Sequence, residues 1–454
     1  MSEAVSRKTR RILFGIYGAA LLYFVLKQIY YAVYVGGFPD QRAQNGYIIE
    51  MIRNPSLLPD FSSMPLYLIR WEGLQEFMIR TTGEVNYLGH PPLYYMLMAA
   101  LGPAQIADGW FPVDYFKLTA ANIMLTSLGL ILSFRLAYRY LKNRPPIVHA
   151  VFSAALVTLP ELAYVGASVN NDNLAFLAFA VFFTGVLRYQ EDRLDLKTYL
   201  LIGIGFLLGS FAKLTTALLM LLMLAVMLVM SIIRTKSLKL IANRYFLMTL
   251  PCYLLFLAYE LAIHSRYGVW QPGLAVVAPE YFKTTIFYVA PENRVPMSIL
   301  RYAGVFVRGI GYSWSSVYGH KPEVNAIMKN GVAGIIYWIP VAVTVAAAAL
   351  QALKKRKEDR FTVPVALAFL GTLAYHFYTA WSGFLKNGYT GGVQARYYLP
   401  LMIPFALVMC RELPPLFRTE KAKKAGRILA AVLILLWLAG DAPRLVIFFG
   451  FPQY

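Results

Sequence analysis

The sequence predicts an all-α polytopic membrane protein, and three observations carry that expectation. Apolar residues make up 58% of the chain against 15% charged, with a mean hydropathy of +0.53, a balance outside the range of soluble domains. The apolar residues gather in runs close to membrane-spanning length, about 20 residues. Lys and Arg fall mostly in short stretches between those runs, as expected where basic loops fix orientation beside anionic lipid. The last point also explains the net charge of +20: membrane lipids are expected partners and nucleic acid is not. Aromatic residues, at 15%, suit interfacial belts and carbohydrate contacts. Cys252 and Cys410 both lie inside apolar runs, which suggests neither a disulfide framework nor a thiolate metal site.

Taken in order, the chain opens with RKTRR and an apolar run without a small-x-small cleavage site, the pattern of an uncleaved signal anchor. Its basic residues place the N-terminus inside, so segment 12–35 runs outward. A long polar interval follows and reaches residue 95. Connectivity does not require an interval of that length, so it is the first place to look for function. The segment beginning HPPLYY is short and opens with Pro91-Pro92, and is expected to be an interfacial or re-entrant helix. The next segment, about 115–140, ends in Arg135, Arg139, Lys142 and Arg144 and so returns to the inside.

Further spans are expected at 146–166, 173–189, 198–212, 214–233, 245–265, 331–353, 361–381, 396–411 and 428–448. Their alternation gives about 11 spans with the C-terminus outside, in a single domain over 1–454. The first extracytoplasmic loop is then 36–114 and the second large one 266–329. Segment 297–318 carries Arg301 and Arg308 seven apart, on one helical face, and reads as an amphipathic helix on the outer surface. GIGFLLG (203–209) superficially echoes a nucleotide loop, but no strand precedes it; small residues for helix packing are the expectation.

This map gathers Asp40, Glu84, His90, Asp172, Lys213 and Arg396 at one membrane face. Ionisable groups at membrane depth are costly without work or a partner, and six from separate stretches form a candidate site. Plainer roles stand beside the functional ones. His90 suits a cap for the helix behind it, Asp172 an N-cap, Lys213 a snorkelling headgroup contact and Glu84 a solvated loop charge. The remaining histidines, among them His264, His320 and His376, show no metal-ligand spacing.

One chemistry that fits such residues is sugar transfer from a lipid-carried donor. Nucleotide sugars are cytoplasmic, so sugar transfer on the outer face needs a lipid-carried donor. Inversion at the anomeric carbon needs a base for the acceptor hydroxyl and a stabiliser for the departing phosphate. A carboxylate serves the first need and Arg the second, its fork gripping phosphate oxygens in pairs. Arg396 is the first candidate for that grip, then Lys213, Arg301 and Arg308.

The ordered set of an outer Asp, HPPLYY, a basic-ended span, an N-x-D turn, a K-L-T turn and a late RYYLP resembles the GT-C membrane glycosyltransferases. Protein O-mannosyltransferases and aminoarabinose transferases, which use polyprenyl-phosphate sugars, are their best-known members. The resemblance covers most of the chain as short motifs. It implies a GT-C-like bundle with extracytoplasmic juxtamembrane helices and a site facing outward, in a bacterial cytoplasmic membrane. It further implies Asp40 as catalytic base, Asp172 as the acidic position of the second outer loop, and Arg396-Tyr397 near the donor phosphate. Many relatives have Asp-Glu where this chain has Asp40-Gln41, so a metal role for that Glu does not carry over; no cofactor is named by the residues, and a divalent metal (Mg or Mn) is left open. The partners implied are a polyprenyl-phosphate-linked sugar and a glycan, lipid or protein acceptor. Two other classes stay open: a polysaccharide polymerase or ligase, for which Arg266, Arg294, Arg301 and Arg308 of the second loop would serve, and a lipid-linked saccharide flippase or transporter.

The basic bias of the inner loops gives a direct test. Single cysteines at Asp60, Ala290 and Gly388 are expected to react with an impermeant thiol reagent from outside, and ones at Asp192, Lys357 and Lys421 are not. Outside labelling at Lys357 would overturn the alternation.

Overall fold

The structure, a computed structural model, describes residues 6–34, 40–71, 76–85, 89–102, 110–236, 238, 241–314, 332–354 and 361–449. Every one of the eleven expected segments is helical. They are α1 (Arg7–Tyr34), α4 (Tyr115–Tyr140), the pair α5 (Pro146–Val157) and α6 (Pro160–Gly166), α7 (Asp172–Gln190), α8 (Leu196–Ala212), α9 (Leu214–Thr235) and α10 (Arg244–Tyr267). After α14 (Val332–Ile335) come α15 (Ile339–Lys354), α16 (Thr362–Asn387), a 3₁₀ turn Ala395–Leu401 leading into α17 (Met402–Glu412), and α18 (Glu420–Phe449). Among the described residues eight helices are long and apolar enough to cross a membrane, and α5 with α6, bent by 57°, makes a ninth. The other two segments are α8, short at 17 residues, and the 30-residue α18. The chain is an integral membrane protein.

Helix contacts follow from small residues where backbones meet. At Gly205 in GIGFLLG, a Cβ would stand 2.4 Å from the Phe182 nitrogen, so only glycine lets α8 lie this close on α7. That is helix packing and not a nucleotide loop. Around this pair the core is aromatic and aliphatic, with Phe176, Phe179, Phe182, Phe183 and Phe206 all buried.

The first loop departs from a purely helical picture. It holds α2 (Gln41–Arg53), α3 (Leu93–Leu101) and a three-stranded antiparallel sheet of β1 (Pro65–Trp71), β2 (Glu76–Val85) and β3 (Trp110–Asp114), in that order. Pairing runs Tyr67 to Thr81 and Ile69 to Ile79 in one ladder, and Phe77 to Val113 in the other. At nine residues α3 is too short to span, in keeping with the expected interfacial helix.

The second loop begins with two short helices, α11 (Leu274–Val277) and α12 (Pro279–Phe282), followed by α13 (Ile299–Ser313). Tyr302, Phe306 and Ile310 of α13 are buried, and the first two pack on Phe377 of α16. Arg301 and Arg308 lie on its exposed face.

One buried charge pair ties the bundle together away from the polar loops. Lys27 Nζ of α1 donates to Asp441 Oδ2 of α18 at 2.7 Å and to the Val157 carbonyl, at the end of α5, at 2.8 Å; Tyr23 also donates to Asp441. Pro160 has no N–H and stands at the first position of α6, so the chain bends there. Lys27 satisfies a carbonyl that the break leaves exposed. Both charges are fully enclosed. Lys27→Met alone is expected to cost about 3–5 kcal/mol because it strands a buried carboxylate. The double variant Lys27→Met/Asp441→Leu should recover most of that loss in thermal unfolding of the detergent-solubilised protein.

Candidate active site

Four separate stretches bring their charges together at one end of the helical bundle. The first is Asp40, whose backbone adopts the left-handed conformation (φ 59°) immediately before α2. Its carboxylate is engaged by Arg396 Nη2. Arg396 belongs to the 3₁₀ turn 395–401, which Pro400 keeps from becoming a regular helix. That turn is pinned by Ala395 N–H donating to Ser313 Oγ at 2.6 Å and by a 2.9 Å bond between His376 Nδ1 and the Tyr398 hydroxyl.

The second carboxylate, Asp172, is the first residue of α7. The helix cap is Asn171, without a side-chain capping bond, so Asp172 is not the N-cap that the sequence allows. Instead it accepts from Lys213 Nζ at 2.5 Å, both side chains being buried. Its placement at a helix N-terminus also favours the negative charge. The turn before it is fixed by Asn173 Nδ2, which donates to Asn122 Oδ1 at 2.7 Å and to the Ser168 carbonyl at 2.9 Å. Lys213 is an extended residue separating α8 from α9. It does not snorkel: its side chain is turned inward and buried. Burial holds its ammonium below the ordinary lysine value, and Asp172 opposes that shift.

Tyr397 links the two pairs. Its ring lies 4.9 Å from Lys213 Nζ and 5.8 Å from the Arg396 guanidinium carbon, so one aromatic ring serves both cations. Gln44 of α2 reaches Asn171 Oδ1 at 3.4 Å and connects the Asp40 side to the Asp172 side.

His90 faces this cluster and feels Lys213, Asp172, Asp40 and Arg396 together. It is not a cap for α3, whose cap position is Pro92. Its carbonyl accepts from the Tyr47 hydroxyl at 2.8 Å, and Tyr47 stacks on Tyr95 with ring centres 3.7 Å apart. Gly89 beside it permits a close approach: a Cβ there would fall 2.2 Å from the Pro272 carbonyl oxygen. Loss of solvent, then Lys213, pushes the His90 imidazole down to about 3, so the ring is neutral through the physiological range.

Of the residues the sequence singles out, the fold brings Asp40, Asp172, Lys213, His90, Arg396 and Tyr397 together. Arg301 and Arg308 lie on the exposed side of α13 and are not among the residues gathered here. Glu84 lies in β2, and its side chain falls outside the described residues. Sequence reasoning misses Glu161. This buried carboxyl of α6 lies within electrostatic reach of Arg396, Asp172 and Lys213. A lone acid after Pro160 in an apolar segment was the available signal.

Among the described residues no group of three or more His, Cys, Asp or Glu is placed to hold a metal ion. The two carboxylates that meet here each face a cation instead. This donor set suits an anion better than a divalent metal.

The fold is that of a polytopic membrane protein with a GT-C-like helical architecture. Solved structures similar to it include ArnT from Cupriavidus metallidurans bound to undecaprenyl phosphate, at a TM-score of 0.52 and 11% identity, covering 94% of this chain and 64% of that one. Another is the archaeal oligosaccharyltransferase AglB from Archaeoglobus fulgidus in complex with an inhibitory peptide and a dolichol-phosphate, at 0.48 and 12%, covering 96% and 56%. The chain thus spans less than two thirds of the length of either, and at these identities the likeness is one of fold. Residues 66–405 match the family described as predicted membrane protein (DUF2142), and the chain belongs to that family. No curated protein matches it.

The His90 environment makes a pH prediction. Unfolded, a histidine takes up its proton near pH 6.5; folded, His90 does so only near 3. Between those values the unfolded chain binds more protons, so this group contributes stability above about pH 6.5 and loses it as pH falls. Melting temperatures of wild type and His90→Gln should therefore converge, or cross, on going from pH 7 to pH 5.

Proposed function

We propose that this protein is an inverting glycosyltransferase that moves a sugar from a polyprenyl-phosphate donor to an acceptor hydroxyl on the extracytoplasmic face of a bacterial cytoplasmic membrane. The observation that carries the reading is the Asp40–Arg396 pair: a carboxylate and a guanidinium from distant loops, held in contact where GT-C-like helices end. Arg396 is itself buried, and its Nε and Nη1 have no hydrogen-bond partner among the described residues. Buried donors without partners are costly, and a phosphate oxygen is the acceptor that a guanidinium fork fits best.

The exposures divide the labour. Asp172 and Lys213 are 5% and 4% exposed at their side chains, whereas Asp40 is 24% exposed. Of the two acids Asp40 is the more open, so the incoming hydroxyl is assigned to Asp40 and not to Asp172. In this reading the inner pair fixes the charge and position of Lys213, which with Arg396 receives the donor phosphate. When the phosphate engages Arg396, Asp40 is freed to take the acceptor proton. The acceptor oxygen then bonds to the anomeric carbon as the carbon–oxygen bond to phosphate breaks. The departing phosphate keeps that electron pair, and the two cations stabilise it. Neutral His90 adds no competing charge. The Tyr47–Tyr95 stack forms an aromatic wall next to it.

The polymerase or ligase reading would draw on the second-loop arginines, of which Arg266 pairs with Asp60 at 2.9 Å, Arg294 bonds the Val289 carbonyl, and Arg301 and Arg308 are exposed.

Asp40→Asn keeps the size of the side chain but removes its basicity. Turnover of polyprenyl-phosphate sugars should fall about a hundred- to ten-thousand-fold. Binding of the lipid phosphate should persist, because Arg396 loses a competitor. Retention of more than about a tenth of wild-type turnover, far above that loss, would remove Asp40 from the role of base. Arg396→Lys keeps the charge without the fork and should lower turnover roughly ten- to a hundred-fold.

A further inference from the structure

Glu161 is a titratable group beside the candidate site for which the proposed chemistry has no use. Its side chain comes from α6, on the far side of the bend at Pro160, and the residue is 7% exposed. Among the described residues no hydrogen bond or ion pair engages its carboxyl, and α6 packs on the 395–401 turn that carries Arg396 and on α7, whose first residue is Asp172; Arg396, Asp172 and Lys213 also act on it electrostatically. The two neighbouring carboxylates each hold a cation by direct contact. Among the described residues, Glu161 is the carboxyl that feels the same cations without such a contact.

A buried carboxyl without partners is costly, so a group that keeps one in place is expected to meet its donors in another state of the protein. Three ligand parts are available if the cluster is a lipid-phosphate sugar site. The phosphate is drawn to Arg396 and Lys213. The acceptor hydroxyl must reach Asp40, the more exposed acid. The sugar ring bridges the two, since its anomeric carbon is bonded to the phosphate oxygen and is the atom attacked. Its other hydroxyls are hydrogen-bond donors that need acceptors on the remaining wall. A carboxyl group offers two oxygens to one or two such hydroxyls.

We infer that Glu161 is a specificity-determining residue that accepts hydrogen bonds from ring hydroxyls of the donor sugar. The bend at Pro160, tied by Lys27 to Asp441 across α1 and α18, is what carries it to the cluster. This inference rests on the reading of the cluster as a lipid-phosphate sugar site.

The test pairs substrate and protein changes in the intact, detergent-solubilised chain. Wild type and Glu161→Gln are assayed with a panel of polyprenyl-phosphate sugars and, for the best donor, each monodeoxy analogue. Glu161→Ala is included as a second variant. Wild type should lose roughly ten- to a hundred-fold in kcat/KM on the analogue lacking the bonded hydroxyl, the range for leaving a buried hydrogen-bonding group unsatisfied. Both variants should lose a similar factor on the full donor but little more on that analogue. Sugar-free polyprenyl phosphate should bind wild type and Glu161→Gln equally, which controls for folding. If the variants lose the same factor on every donor, or bind sugar-free polyprenyl phosphate less well, the inference is overturned and Glu161 is a structural or phosphate-site group. If wild type turns over and binds no polyprenyl-phosphate sugar at all, the functional reading fails first and this inference falls with it.

Discussion

Everything at this site depends on the cost of placing charge where water is scarce. Asp172 and Lys213 are almost wholly enclosed, and neither could be held there alone. Their pairing forces the start of α7 against the junction of α8 and α9, two places that the sequence separates by about forty residues. Arg396, also buried, imposes the same demand on the 395–401 turn and the start of α2. Tyr397 between the cations makes the two pairs one unit. The opposed charges cancel within the unit.

A second consequence of the same cost lies in the helical bundle. Lys27, Asp441 and the Val157 carbonyl join three helices at a point where one of them breaks. The break costs backbone hydrogen bonds, and the lysine restores one of them. A bend that would be unstable in isolation becomes a fixed part of the fold, and the short helix beyond it is aimed by a contact to α1 and α18, outside the polar cluster.

Much of this was legible in the sequence. Spans could be read because apolar runs and basic loops alternate, and that signal belongs to each segment separately. Asp40, Asp172, Lys213 and Arg396 were legible because charged residues at the ends of apolar runs are few. What could not be read is what depends on distant partners. The sheet of the first loop is short, and its strands lie in a polar stretch with helices on both sides. The direction in which α13 turns its arginines is set by the aromatic residues of α16 packed under Tyr302 and Phe306. Glu161 is placed near Arg396, more than two hundred residues away in sequence, only when Pro160 bends the chain.

The backbone at Asp40 narrows what the position can hold. At a φ of 59° the chain is in the region that glycine enters freely, that asparagine and aspartate tolerate, and that most other side chains resist. Of those three residues only aspartate carries a carboxylate. Glutamate has the right chemistry on a backbone less suited to the turn, while asparagine suits the turn and lacks the chemistry. The two acids, exchangeable at most exposed positions, are therefore not exchangeable here, and the shape of one peptide unit has made the choice between them.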